Sequence, residues 1–192
     1  MSKGRLEAFS DGVMAIIITI MVLELKVPHE ATWAALLDLV PTFLSYLLSF
    51  IFVGIYWNNH HHMFQVVKHV NGRVLWANIH LLFWLSLVPF ATAWMGENHF
   101  ATLTLALYGV VLWFAGLAYY VLAQRLLAIH GKESLLATAI QRDTKAKVSL
   151  MLYTLAVPLA FVSPWIAGGL FVAVALLWLI PDTRIEKALP QP

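Results

Sequence analysis

The sequence predicts an all-α integral membrane protein with six transmembrane helices, and three observations lead to this fold class. The 192 residues are 61% apolar and only 11% charged, and their mean hydropathy is +0.79. A soluble domain carries about 25% charged residues, so water cannot be the main solvent for this surface. Apolar runs recur between short polar stretches and leave no room for a soluble catalytic domain. We therefore treat residues 1–192 as a single transmembrane domain.

The first four spans are expected where charged residues bound apolar runs. They cover residues 9–27, 39–60, 74–94 and 100–123. The first is a poor membrane helix, because the uncharged run between Asp11 and Glu24 covers only ~18 Å of a hydrocarbon core that is ~30 Å thick. Pro89 and Pro158 lie inside predicted spans and are expected to kink them. The polar stretch 125–147 is interpreted as a solvated or interfacial loop.

The last apolar run, residues 148–180, contains 33 residues without a formal charge. As one straight helix it would extend ~50 Å, too long for one crossing. Pro164 and the pair Gly168 and Gly169 interrupt it near the middle. We predict two spans, 148–163 and 165–180, joined by a tight turn. A single tilted span is the alternative.

The distribution of basic residues supports six spans. With the amino terminus inside, eleven of the twelve Lys and Arg residues lie on the cytoplasmic side, and only Lys26 lies outside. Such an excess is typical of cytoplasmic loops. Five spans would move Arg184 and Lys187 outside. Both termini are therefore predicted to be cytoplasmic.

The first helix carries charges near both ends of its apolar run, which is tolerable if those ends do not face lipid. A branched apolar stripe follows one helical face, at Ile16, Ile20, Leu23 and Val27. The periodicity alone favours a central structural helix over a pore-lining one.

A family resemblance distinguishes these alternatives. The stretch "RLEAFSDGVMAIIITI" resembles the first-helix signature of the transmembrane protein 175 family. "VLELKVP", "YWNNHHHMF" and "NIHLLFWLSLVPFATAW" also resemble that family, whereas the second half of the chain resembles it in hydropathy only. The resemblance implies a cation channel selective for potassium. Because prokaryotic members carry one six-helix repeat and form tetramers, it further implies a multi-pass homotetramer in the cell (inner) membrane, with the first helices lining a central pore.

The resemblance assigns pore roles to one face of the first helix. An apolar constriction is implied at Ile16, with further apolar rings at Ile20 and Leu23, and ion preference is implied at Thr19. A narrow ring of isoleucines can block ions by dewetting, and threonine hydroxyls can partly replace an ion's hydration shell. The chain has no Thr-Val-Gly-Tyr-Gly filter. We therefore expect modest selectivity for K⁺ over Na⁺.

The resemblance also implies an inter-helix polar network at the cytoplasmic side. Its members are Arg5, Ser10, Asp11, Asn78 and His80. Asp11 is expected to bond across helices, with His80 or a neighbouring chain's Arg5 as candidate partners. Ser10 has an alternative role as a helix N-cap.

Two further sets of polar residues each allow two interpretations. Glu24 either faces the outer pore mouth, where four carboxylates would concentrate cations, or pairs with Lys26. The run His60–His62 invites a metal site, but consecutive helical residues point about 100° apart, which favours interfacial solvation and inter-helix hydrogen bonds. We expect no metal, no cofactor and no nucleic-acid partner. The expected partners are the lipid bilayer, K⁺ and other monovalent cations.

Two other functions compete with a channel. A proton-coupled membrane transporter could use Asp11 and His80, but broken helices around a central site would then be expected. A haem- or metal-dependent membrane enzyme would need paired histidines at bundle depth, and only His80 lies clearly within a span. No enzymatic activity is expected.

Overall fold

The computed structural model describes residues 2–131, 134, 136–137 and 144–179. Within these residues the chain forms eight helices, which we number in chain order. They are α1 (Lys3–Leu23), α2 (Trp33–Leu37), α3 (Val40–Gln65), α4 (Gly72–Ser86), α5 (Val88–Glu97), α6 (Thr102–His130), α7 (Thr144–Ala160) and α8 (Pro164–Leu179).

Local sequence explains most of the helix boundaries. Asn71 caps α4, because its side chain accepts a hydrogen bond from the Val74 N–H at 3.1 Å. Thr32 caps the short helix α2 in the same way. Gly131 follows α6 with a φ of 82°, a left-handed conformation that glycine adopts without steric cost.

Two helix interruptions occur at the predicted prolines. The third predicted span is divided at Leu87, because Pro89 in the first turn of α5 cannot donate the backbone hydrogen bond that would continue α4. The 148–180 run is divided by a turn before Pro164, so the prediction of two helices there is confirmed. Pro158 lies inside α7, in the last turn before the helix ends at Ala160.

The helices differ in extent from the predicted spans at several ends. α1 begins at Lys3 instead of residue 9, since Lys3 and Glu7 form an ion pair of 3.8 Å along the helix instead of ending it. It stops at Leu23, so Glu24 and Val27 lie beyond it. The helix α3 continues to Gln65 and α6 to His130. The predicted loop 125–147 therefore begins inside α6, and residues 132–133, 135 and 138–143 of it lie outside the described residues.

Four helical segments of the described chain are long and apolar enough to cross a membrane. They are Lys3–Leu23, Trp33–Gln65, Gly72–Glu97 and Thr102–His130. Helix α8 is also apolar but has only 16 residues. That α7 and α8 also span the bilayer stays a prediction.

Helix α6 and helix α1 pack against different sets of helices. Helix α6 contacts α4, α5, α7 and α8, whereas α1 packs on α3, α4 and α5. Small residues let α6 approach its neighbours. A Cβ atom on Gly109 would lie 2.8 Å from the ring of Phe171 and 3.0 Å from Val157. The first helix is thus attached to one side of the bundle, away from α8.

Candidate pore helix and its polar network

Helix α1 buries one narrow stripe, half-buries the residues beside it and exposes most of its remaining surface. The buried residues recur every three or four positions and are Leu6, Ser10, Met14, Ile17 and Met21. The predicted pore residues lie on the exposed side: Ile16 is 57% exposed, Ile20 42% and Leu23 77%. A single chain therefore leaves most of α1 uncovered.

Thr19 lies on this exposed face, and its hydroxyl proton is used within the helix. The Oγ1 atom lies 2.9 Å from the carbonyl oxygen of Ile16 and 3.1 Å from that of Ala15. Because the hydroxyl donates to these backbone acceptors, its lone pairs point away from the helix. An oxygen presented in this way can contact a cation.

A buried chain of hydrogen bonds holds α1 against α3 and α4. The Ser10 hydroxyl donates to the Leu6 carbonyl at 2.9 Å and accepts from Nδ2 of Asn78, also at 2.9 Å. The Asn78 Oδ1 atom then lies 2.9 Å from Nε2 of His60, which therefore acts as the donor. Ser10, Asn78 and His60 are all nearly inaccessible to solvent. The buried side chains of Ser10, Asn78 and His60 thus each have a hydrogen-bond partner.

Ser10 is not an N-cap, which corrects one of the two interpretations of that residue. It lies in the middle of α1, and Ser2 occupies the position before the helix. Its side chain serves the contact with Asn78 on α4 instead.

Asp11 bonds across helices, but to a residue that the sequence did not indicate. Its Oδ1 atom accepts a hydrogen bond of 3.0 Å from Nε1 of Trp57 on α3. The Trp57 indole in turn stacks on His61, with ring centroids 5.8 Å apart. The carboxylate itself is exposed on the protomer, as is Arg5.

His80 does not join this network in the protomer, which corrects the predicted pairing. It is exposed, and its Nε2 atom accepts a hydrogen bond of 3.0 Å from Trp84 one turn along α4. Residues two apart on a helix point in nearly opposite directions. Because Asn78 faces α1 and α3, His80 must face away from them.

Lys26 pairs with Glu97 and not with Glu24, so the alternative role of Glu24 is also corrected. The ammonium group of Lys26 lies 2.6 Å from Oε1 of Glu97 at the end of α5. This hydrogen bond raises the pKa of Lys26 above its ordinary value of 10.5. Glu24 is exposed just after the last residue of α1.

The three consecutive histidines have different surroundings. His60 is buried and bonded to Asn78, whereas Nε2 of His61 lies 2.8 Å from the Gln65 amide. His62 lies 3.4 Å from the same side chain. Across the described residues, no three His, Cys, Asp or Glu side chains are grouped so that they could hold a metal ion.

The inter-helix hydrogen bond expected for the run His60–His62 is made by His60. Sequence reasoning missed Trp57 and a cluster of buried hydroxyl groups. The Thr92 hydroxyl lies 2.6 Å from Ser49, whose oxygen is 2.9 Å from the Tyr108 hydroxyl, so α5, α3 and α6 are joined. Met21 of α1 also touches Thr92, with sulfur 3.9 Å from the hydroxyl oxygen. Polar residues inside apolar spans were the available signal, because each of them must find a partner.

The fold and this arrangement define the class of protein. Membrane-length apolar helices form a bundle, and one of them keeps polar groups and an uncovered apolar face on the same side. An exposed face with Asp11 and Thr19 is poorly suited to lipid. The class is therefore a helical membrane protein whose first helix is incompletely covered in one chain.

Comparisons with known proteins narrow the class to one family. The family described as "Endosomal/lysosomal potassium channel TMEM175" matches residues 5–89. A potassium channel of Chryseobacterium sp. (strain P1-3) is 56% identical over 100% of both chains. A potassium channel of Streptomyces collinus is 34% identical over 84% of each chain. The chain belongs to the TMEM175 family, whose members are channels and not enzymes.

A solved structure supports the same assignment. The crystal structure of a lysosomal potassium-selective channel TMEM175 homolog from Chamaesiphon minutus superimposes with a TM-score of 0.82. The two sequences are 30% identical, and the match covers 93% of this chain and 96% of the other. The similarity thus extends through the second half, where the sequence motifs alone were uninformative.

Proposed function

We propose that this protein is a potassium-permeable cation channel, built as a homotetramer around a central pore lined by α1. The observation that carries the proposal is the exposed face of α1, on which Ile16, Thr19 and Leu23 lie together. The relatives that align over nearly the whole chain are named potassium channels, which supports K⁺ as the permeant ion.

In the proposed pore, the apolar residues form the constriction. Ile16, Ile20 and Leu23 would meet their counterparts from the other subunits, and narrow apolar rings can expel water. The small residues Ala8 and Gly12 lie on the exposed side of α1 and would allow the helices to approach closely. Each subunit would then cover the surface that its neighbour leaves uncovered.

Thr19 supplies the oxygen atoms that an ion meets beside the constriction. Its hydroxyl proton is held by the helix backbone, so four equivalent oxygens would direct lone pairs at the pore axis. Four hydroxyls replace only part of a hydration shell, which agrees with modest selectivity for K⁺ over Na⁺.

The polar residues around α1 act as positioning groups in this proposal. Ser10, Asn78 and His60 fix the rotation of α1, and Trp57 holds Asp11 at its cytoplasmic end. Arg5 and the free oxygen of Asp11 remain available to a neighbouring chain. Glu24, after the last turn, would lie at the outer mouth and attract cations.

The proposed topology follows the positive-inside distribution. Both termini lie in the cytoplasm, and the chain crosses the inner membrane six times if α7 and α8 also span. The contact between Lys26 and Glu97 then joins two outer segments.

A proton-coupled transporter is less well supported. Its two candidate residues, Asp11 and His80, have separate partners on different helices, Trp57 and Trp84. Helix α1 is also continuous from Lys3 to Leu23, without the interruption that midplane transport sites use.

Recording from purified protein in planar bilayers tests the proposal. Unitary currents are expected, and with KCl and NaCl on opposite sides the reversal potential should favour K⁺. A transporter gives no unitary current, so silent bilayers with folded protein present would exclude the channel.

The central position of α1 has a separate test, which uses the absence of cysteine from the sequence. Leu23→Cys should form disulfide-linked dimers under mild oxidation, because the Leu23 side chains of neighbouring subunits would be close. Val162→Cys is a matched control, since Val162 is 75% exposed but lies in the turn between α7 and α8. Equal cross-linking of both variants would contradict a central α1.

A further inference from the structure

A small cavity lies inside the bundle between α3, α6, α7 and α8. It encloses about 40 Å³. A cavity needs about 10–15 Å³ to hold a water molecule, so this one has room for about two or three. Clefts that bind larger organic molecules measure about 300–1,000 Å³. The size of the cavity therefore restricts its occupant to water or a solute of similar dimensions.

The described walls of the cavity combine apolar and aromatic side chains with polar ones. The polar residues include Tyr56 and Asn59 of α3 and Ser149 and Tyr153 of α7. Purely apolar cavities stay dry, whereas water enters a cavity that offers it roughly two to four polar partners. The composition of these walls therefore favours hydration.

Two of the polar groups have no partner in the described part of the chain. The hydroxyl groups of Tyr56 and Tyr153 make no hydrogen bond with another described residue. Every fully enclosed side-chain nitrogen or oxygen of the described residues does have a partner, so these two hydroxyls must reach open space. The Tyr56 oxygen lies 3.6 Å from the position of a Cβ atom on Gly116, which also lines the cavity. Tyr153 is only 3% exposed, and the cavity is the open space beside it.

Asn59 and Ser149 differ in the hydrogen bonds that they can still make. Nδ2 of Asn59 donates to the Ile55 carbonyl at 2.8 Å, which leaves Oδ1 as an acceptor. The Ser149 hydroxyl donates to the Lys145 carbonyl at 2.8 Å and accepts from Nε1 of Trp178 at 2.8 Å, so its proton is already used. The cavity thus presents two hydroxyl donors without an acceptor and an amide oxygen that can accept.

We propose that this cavity binds water, which connects Tyr56 of α3 with Tyr153 of α7 and donates to Oδ1 of Asn59. Helix α7 packs on α6 and α8, and it meets α3 where the ring of Tyr153 lies against Phe52, with centroids 6.2 Å apart. The bound water would add polar contacts to this aromatic one. Neither α1 nor the network around Ser10 contributes to the site, so it is independent of the pore.

Radiolytic labelling of the wild-type protein tests the site without any substitution. X-rays generate hydroxyl radicals from water, so a buried tyrosine is oxidised only if water lies beside it. Mass spectrometry should therefore detect oxidised Tyr153. Tyr108 is the matched control, because it is also buried but its hydroxyl lies 2.9 Å from that of Ser49, and it should remain unmodified. An unmodified Tyr153, or equal oxidation of both tyrosines, would overturn the site.

Removal of the hydroxyl groups is a second test, because a hydrated cavity and a dry one predict different results. With bound water, Tyr153→Phe should lower the melting temperature in detergent by about 2–4 °C, the usual effect of one lost hydrogen bond in a chain of this size. Tyr56→Phe should act in the same way. In a dry cavity both variants would remove a buried hydroxyl that has no partner, so an unchanged or higher melting temperature would contradict the proposal.

Two other tyrosines calibrate this measurement. Tyr108→Phe loses the contact with Ser49 and should lower the melting temperature whether or not the cavity is hydrated. Tyr46→Phe should not change it, since Tyr46 of α3 does not line the cavity and makes no hydrogen bond with a described residue. A decrease as large in Tyr46→Phe as in Tyr153→Phe would mean that the loss of any tyrosine hydroxyl has this effect, and it would overturn the site.

Discussion

Helices α1 and α6 are both long and apolar, yet the bundle treats them differently. In the most apolar 18-residue window of each, 28% of the α1 residues are buried, against 50% in α6. The helix α6 contacts neighbours on several sides, and its glycines lie against Phe171 and Leu150. Hydropathy identifies both as spans but cannot distinguish a helix that is covered within the chain from one that is left largely uncovered, as α1 is.

Introducing asparagine into α6 gives the strongest test of this difference, and introducing it into α1 is the comparison made below. Leu112 on α6 is fully buried, so Leu112→Asn removes apolar packing and buries an unpaired amide. We expect destabilisation by about 3–5 kcal/mol and loss of monodisperse protein in size-exclusion chromatography. A variant as stable as wild type would show that α6 is not part of the core.

A second variant addresses the buried contact that holds α1. Asn78→Ala leaves the Nε2–H group of His60 without an acceptor and removes the donor to Ser10, whose hydroxyl keeps its bond to the Leu6 carbonyl. The orphaned imidazole group costs about 1–3 kcal/mol. Thermal unfolding in detergent should shift to a clearly lower temperature. Asn98→Ala is the control, because Asn98 is exposed and bonds only to the Trp94 carbonyl. Equal melting temperatures for both variants would contradict a structural role for the network.

On the exposed face of α1, the predicted effect is on current instead of folding. Ile16→Asn places an amide where the constriction is proposed, which should wet the pore and raise the single-channel conductance severalfold. Because Ile16 is 57% exposed, thermal stability should remain close to that of wild type. Unchanged conductance would remove Ile16 from the narrowest point.

Thr19 allows a finer distinction on the same face. Thr19→Val keeps the shape of the side chain and deletes the oxygen whose lone pairs point away from the helix. Current should persist, while the reversal potential in mixed K⁺ and Na⁺ solutions should move toward the value expected for equal permeability to the two ions. Thr19→Ser, which restores a hydroxyl, should recover part of the preference. If Thr19→Val retains the wild-type reversal potential, the hydroxyl does not contribute to ion preference.

The smallest effect is expected at the outer end of α1. Lys26 is fully exposed, so Lys26→Gln should change stability only slightly. Since the pKa of Lys26 is raised above 10.5, its contribution is complete below that pH and is lost as the pH rises through the higher value. The melting temperatures of wild type and Lys26→Gln should therefore differ by a constant amount from pH 6 to pH 9. A difference that changes within this range would contradict the ion pair with Glu97 as its source.

The sequence predicted features that depend on local chemistry. Pro164 interrupted the last apolar run as expected, because proline cannot continue a helix from the preceding residues. The helix α1 begins before the predicted span because it includes Lys3, Arg5 and Glu7, and the charged residues Lys, Arg and Glu are good helix formers.

Tertiary partners were predicted less well than helices. Ser10 and Asn78 are indeed 2.9 Å apart, but which histidine completes the chain depends on how α3 packs against α4. The spacing itself held a usable signal, because Asn78 and His80 cannot both face α1. Trp57 as the partner of Asp11 had no comparable signal, since an indole among apolar residues is typical of any membrane helix.

The uncovered face of α1 has a consequence for biogenesis. A newly inserted protomer exposes Asp11 and Thr19 to hydrocarbon, where polar groups are costly. In the proposed homotetramer that cost would be relieved only when other copies arrive, so folding and association would be thermodynamically linked and would depend on the density of protomers in the bilayer. Solitary chains would be the natural targets of membrane quality control, and the number of complete assemblies should rise more steeply than the rate of synthesis.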